Sequence, residues 1–99
     1  MALSSFKFKN NTRLQNAAKN RPPIKLGEIG PGVQLLQEVL VALGYPLPKS
    51  TKPEGTMDGI YGVETKGAIL AFQGNHSLVT DGSTGENTLK QIDILLPYT

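Results

Sequence analysis

Asp58-Gly59-Ile60-Tyr61-Gly62-Val63-Glu64-Thr65 recurs 23 residues further on as Asp81-Gly82-Ser83-Thr84-Gly85-Glu86-Asn87-Thr88. The Asp, both Gly and the Thr keep their places. Asp-Gly is a turn signal, because the Asp side chain bonds locally to backbone and Gly takes positive φ. Gly62 and Gly85 then stand where helix N-caps belong, and Glu64 and Glu86 fall in first turns, where the helix dipole favours negative charge. Each unit therefore reads as a tight turn that feeds the chain into a helix. A third start of the same design precedes them: Gly30-Pro31-Gly32-Val33, with Pro31 at the first helical position.

The apolar spacing beyond each start is helical. Val33, Leu36, Val39, Leu40 and Leu43 form one stripe, ended by Gly44 and Pro46. Ala68, Ile69 and Phe72 form the second, with Gly74-Asn75 as its expected end. Leu89, Ile92, Leu95 and Leu96 form the third, ended by Pro97. The spacing predicts helices over about 31–43, 63–74 and 86–95, with Leu36, Leu40, Ile69, Phe72, Leu89 and Ile92 as the core. Helices this short need one another's apolar faces for stability. Tyr45 to Met57 holds three prolines and no periodicity, so it reads as a loop. The expected fold is mainly α: a compact three-helix bundle with Asp-Gly turns, over residues 24–99, preceded by an extended arm, residues 1–23.

The arm differs in kind from the body. Residues 1–27 carry six basic and no acidic side chains, whereas residues 28–99 carry four basic and eight acidic ones. The sequence pI of about 9.0 thus belongs to the arm. Leu3 to Lys9 alternates, Phe6 and Phe8 on one side and Lys7 and Lys9 on the other. Asn11 or Thr12 then caps a short helix from Arg13 to Lys19. Phe6, Lys7, Phe8, Lys9 and Arg13 are the candidate partner-binding residues, and the favoured receiver is a neighbouring subunit that accepts the strand. Nucleic acid is an unlikely partner, because the arm has no readout motif and the body is acidic.

Several classes of function are excluded. Ninety-nine residues make a single domain, too small for separate substrate and cofactor domains. The longest apolar run is five residues, Val39–Leu43, far short of the roughly 20 needed to span a membrane. The absence of Cys removes disulfides, thiolate metal sites and cysteine nucleophiles. His76 alone, beyond a helix end, supports neither a triad nor a metal site, and Asp58 and Asp81 read as turn residues rather than paired catalytic acids. No enzyme activity, metal or cofactor is expected. The N-terminus has no apolar stretch of signal-peptide length. Synthesis in the cytoplasm is expected.

Read in order, the motifs are Val33-x-x-Leu36-Gln37-x-x-Leu40, Leu43-Gly44-Tyr45, Asp58-Gly59-Ile60-Tyr61-Gly62-x-x-Thr65-x-x-Ala68, Phe72-Gln73 and Asp81-Gly82-x-x-Gly85-x-x-Thr88-Leu89. This set resembles the peptidoglycan-binding domain 1 family, three-helix modules often attached to cell-wall hydrolases, over about Ile24 to Leu96. Ser77 stands where the family usually has Gly, and Ser83-Thr84 replaces a small apolar pair. The resemblance implies a non-catalytic module whose partner is peptidoglycan. Its sugar hydroxyls, amides and carboxylates call for an aromatic platform and hydrogen-bonding side chains. Tyr61, Thr65, Gln37, Gln73, Tyr45 and Asp58 are the residues of that kind within the motifs. The alternative is a structural adaptor, such as a subunit of a phage-tail-like or contractile particle, docking through the arm; the two readings imply action at the cell wall or within a particle.

Overall fold

Three glycines do start the three longer helices. In the computed structural model, which describes Leu3 and residues 8–96, Gly30, Gly62 and Gly85 are the N-caps of α2 (Pro31–Ala42), α3 (Val63–Asn75) and α4 (Glu86–Leu95). A shorter α1 (Thr12–Ala17) precedes them. Asn11 caps α1 by accepting the Leu14 N–H at 2.9 Å. Leu36, Leu40, Ile69, Phe72, Leu89 and Ile92 are all fully buried in one core, as the periodicity predicts.

Two helix ends repay attention. α2 closes as expected: Gly44 takes positive φ, Tyr45 N–H bonds the Leu40 carbonyl at 2.9 Å, and Gly44 N–H bonds that of Val41 at 3.0 Å. α3, however, does not stop at Gly74-Asn75. It runs through Asn75, and Ser77 takes the left-handed position at φ 58°, while Leu78 N–H returns to the Gln73 carbonyl at 2.8 Å. The reason is apolar: this register brings Leu78 back against the core. A side chain there is strained where Gly is not. Ser77→Gly is therefore expected to stabilise the protein by about 0.5–1 kcal/mol, read as a higher midpoint in urea.

The segment from Tyr45 to Met57 is anchored by buried Leu47 and Met57, with a 3₁₀ turn at Pro48–Ser50. Glu64, in the first turn of α3, accepts from Lys49 N–H at 3.0 Å and from the Ser50 hydroxyl at 2.8 Å. Residues 24–30 run as a strap across both Asp-Gly turns. Ile24 pairs with Thr84 and Ile29 with Ile60, each as a single antiparallel bridge.

The arm requires a correction. Leu3, Phe8, Leu14, Ala17 and Ala18 are buried in the chain's own core, and α1 packs on α4. Phe8 and Leu14 are fully buried, so they are not offered to a neighbouring subunit. Among the described residues, backbone groups of Leu3, Phe8 and Lys9 that a strand could pair in a partner's sheet are met by one side chain. Gln15 accepts from Leu3 N–H at 2.8 Å and donates to the carbonyls of Leu3, Phe8 and Lys9 at 3.0, 3.2 and 3.3 Å. Arg13 is also engaged within the chain. It forms a two-pronged pair with Glu28, 2.7 Å at Nε and 2.8 Å at Nη2, and donates to the Pro22 carbonyl at 2.8 Å. The Glu28 hydrogen bond, opposed by burial and aided by the Glu28 charge, raises its pKa further. Lys9 is exposed; Phe6 and Lys7 lie outside the described residues.

Candidate functional site

The two Asp-Gly turns are held from behind by two buried glutamines. From α2, Gln37 Nε2 donates to Asp58 Oδ1 at 3.1 Å, to the Ile60 carbonyl at 3.0 Å and to Thr65 Oγ1 at 3.0 Å. Its Oε1 accepts the Gly59 N–H at 2.9 Å. From α3, Gln73 repeats the pattern on the second turn: Asp81 Oδ1 at 3.0 Å, the Ser83 carbonyl at 2.9 Å, Thr88 Oγ1 at 3.0 Å and the Gly82 N–H at 3.0 Å. Each Asp also accepts the N–H two residues on, Ile60 and Ser83, at 2.9 Å. Gly59 and Gly82 have φ of 72° and 76°, which explains their place after Asp. The motif glutamine, Asp, Gly and Thr thus form one device used twice: each helix carries the amide that pins the turn leading into the next helix.

Tyr61 joins the two devices. It is fully buried, its hydroxyl donates to the Gly82 carbonyl at 2.8 Å, and Thr84 Oγ1 lies 3.0 Å away. Burial, opposed by the Thr84 bond and aided by the Asp81 charge, pushes its pKa up to about 12. A raised pKa means the folded state holds this proton more tightly than the unfolded chain. Stability is then unaffected below about pH 10 and falls as pH climbs from there through about 12. Tyr61→Phe is expected to cost about 1–2 kcal/mol at neutral pH through its lost hydrogen bonds. Its melting temperature should decline less steeply above pH 10 than the wild type's, which differential scanning at stepped pH will show.

Of the candidate ligand residues, Gln37, Thr65, Gln73 and Tyr61 are buried with their polar atoms engaged inside the fold. Asp58 is half-buried in its turn. Tyr45 is half-buried, edge-on to Phe72 with ring centres 5.7 Å apart, and accepts from Asn75 Nδ2 at 2.9 Å. His76 caps α3 and lies over Phe72, ring centres 4.4 Å apart. Among the described residues, no three of the His, Asp and Glu side chains gather as metal ligands would, and no helix is long and apolar enough to cross a membrane.

The second turn opens onto a cleft of about 220 Å³. Gln73 and Thr88 lie at its base. Leu78 and Val79 form one side; Asp81, Ser83, Glu86 and Asn87 line the turn and the start of α4. Asn20 and Pro23 complete it from the arm. Asn20, left-handed at φ 56°, sends Oδ1 to the Glu86 N–H at 2.9 Å, capping α4 in place of the side chain Gly85 lacks. A Cβ at Gly85 would collide with that same Asn20 oxygen. Of the six ligand candidates only Gln73 borders this cleft. The others cluster at the first turn or, like Tyr45, at the end of α2. Asn20, Leu78, Val79, Ser83 and Asn87 are not singled out by sequence, although Ser83 does stand out as a departure within the second turn.

Comparison with known proteins agrees with this architecture. The chain is 40% identical over 67 residues to the N-acetylmuramoyl-L-alanine amidase CwlL of Bacillus licheniformis, covering 68% of this chain and 18% of the amidase. It is similar in structure to a peptidoglycan-binding protein from Clostridioides difficile solved in complex with glutamine hydroxamate. There the TM-score is 0.61 and the identity 28%, over 72% of this chain and 40% of that one. The chain therefore spans less than a fifth of the amidase's length. The family model described as "Putative peptidoglycan binding domain" matches residues 29–92, a stretch that contains both glutamine-pinned turns, α2, α3 and most of α4, and the chain belongs to that family.

Proposed function

We propose that this chain is a non-catalytic module that binds peptidoglycan at the cell wall, through the cleft at the second Asp-Gly turn. The observation that carries the reading is the family match over residues 29–92, in which both turns keep their glutamine, Asp, Gly and Thr. The cleft supplies what a wall polymer needs: amide and hydroxyl groups from Asn20, Ser83 and Asn87 beside apolar Leu78 and Val79. The amidase's activity is not carried over, since the match covers a small share of that protein. Residues 1–23 are read as a segment added to the family's unit, serving its core and one wall of the cleft. The particle-subunit alternative rests on an arm that reaches a partner, and burial of Phe8 and Leu14 removes that support.

The test is co-sedimentation with purified peptidoglycan sacculi at low and moderate salt. The protein is expected in the pellet, with Val79→Ser, at a side chain 76% exposed, weakening retention by about two- to tenfold while the fold stays intact. Complete recovery in the supernatant at both salt levels defeats the reading. Tyr61→Ala is unsuitable as a binding probe, because removing this buried ring will unfold the domain first.

A further inference from the structure

We infer that the cleft between residues 20–23 and the start of α4 receives the peptide stem of the wall polymer, by an ammonium group, and not its glycan. The inference rests on the peptidoglycan reading and adds the ligand class.

The lining carries no aromatic side chain, so it offers no stacking platform for a sugar ring. Pro23, Leu78 and Val79 instead present small apolar surfaces, matched to the methyl groups of a short alanine-containing peptide. The charge is one-signed. Asp81 and Glu86 border the cleft, and no Lys or Arg does. Asp81 accepts from Gln73 and Ser83 through Oδ1 alone, and its side chain is exposed, as is that of Glu86. Lys66 lays its stem against Gly82 but does not line the cleft.

A helix start ordinarily attracts anions, yet here that attraction is countered. Asn20 occupies the Glu86 N–H at 2.9 Å, and the Glu86 carboxylate itself stands in the first turn. A ligand carboxylate would meet two like charges, whereas an ammonium group would meet two opposite ones. The wall's free amines belong to the diamino acid of its stem peptides. Asn20 and Pro23 lie outside the family match at residues 29–92, so this wall of the cleft is a feature of the added segment.

The test is an amide-resolved NMR titration of the full chain with two probes, a synthetic stem tetrapeptide bearing a free lysine ε-amine and the same peptide acetylated on that amine. The free amine is expected to shift the Ser83, Asn87 and Thr88 amides, and acetylation to weaken binding about three- to tenfold. Glu86→Gln should weaken the free-amine peptide about three- to fivefold and leave the acetylated one unchanged. Equal binding of the two peptides, or shifts at these amides from a chito-oligosaccharide in place of the peptide, overturns the inference. Sedimentation with sacculi, run in parallel, separates the two readings. Pelleting without peptide shifts in the cleft refutes the ligand class and keeps wall binding. Peptide shifts without pelleting refute wall binding and keep the cleft's chemistry.

Discussion

Phe8→Ala is expected to cost about 3–5 kcal/mol of folding stability, as much as Phe72→Ala in α3. Both rings are fully buried in the same core, although Phe8 precedes the family match by 21 residues, 8 against 29. Truncation leaves a ring-sized void that the surrounding core fills only in part. Against a total of about 5–15 kcal/mol for a small domain, either loss brings the protein close to unfolding at ambient temperature. Urea denaturation followed by circular dichroism measures both variants, with Lys9→Ala as an exposed control expected within about 0.5 kcal/mol of wild type. A Phe8→Ala protein as stable as wild type would free the arm from the core and restore a partner as its receiver.

Gln37→Met should be nearly as damaging, at about 2–4 kcal/mol, although the two side chains are close in size and no cavity forms. The loss comes from the groups left behind. The Gly59 N–H is buried and has the Gln37 oxygen, at 2.9 Å, as its partner; the Ile60 carbonyl and Thr65 hydroxyl lose the Gln37 amide at 3.0 Å. Gln37→Glu tests the amide specifically. The new carboxylate would keep the Gly59 contact but face Asp58 and the Ile60 carbonyl, so its pKa must rise above the usual value of about 4.3. A raised pKa gives stability that is present at low pH and lost as pH rises. Gln37→Glu is therefore expected to lose most stability near pH 7 and to recover part of it towards pH 4, as melting temperatures across that range will show. A flat profile would mean that the amide donor contributes little to pinning the turn.

Much of this architecture was legible along the chain because its causes are local. A positive-φ requirement selects Gly59 and Gly82 after Asp, a missing N–H suits Pro31 to the first helical position, and a 3.6-residue apolar period marks the faces of α2, α3 and α4. The misjudged end of α3 shows where local signals give way. Gly74-Asn75 is a fair stop by composition, yet packing of the partly buried Leu78 against the core outweighed it and placed Ser77 in a conformation that Gly holds more easily.

The candidate site divides along the same line. Sequence named Gln37, Gln73, Thr65, Tyr61 and Asp58 as belonging together, and they do meet around the turns. Whether those side chains face a ligand or the fold's interior depends on partners 21 to 28 residues away from Gln37, which become neighbours only once α2 and α3 pack. The same holds for Asn20 and Glu86, separated by 66 residues and joined by one hydrogen bond at the edge of the cleft. The sequence alone therefore determined the helices, their starts and the family to which they belong, since these follow from each residue's own conformational preferences and those of its near neighbours. The destination of the arm, the inward use of the glutamines and the position of the cleft were decided by the tertiary structure. Each depends on which distant groups are brought within about 3 Å, a distance that core packing sets and no local pattern encodes.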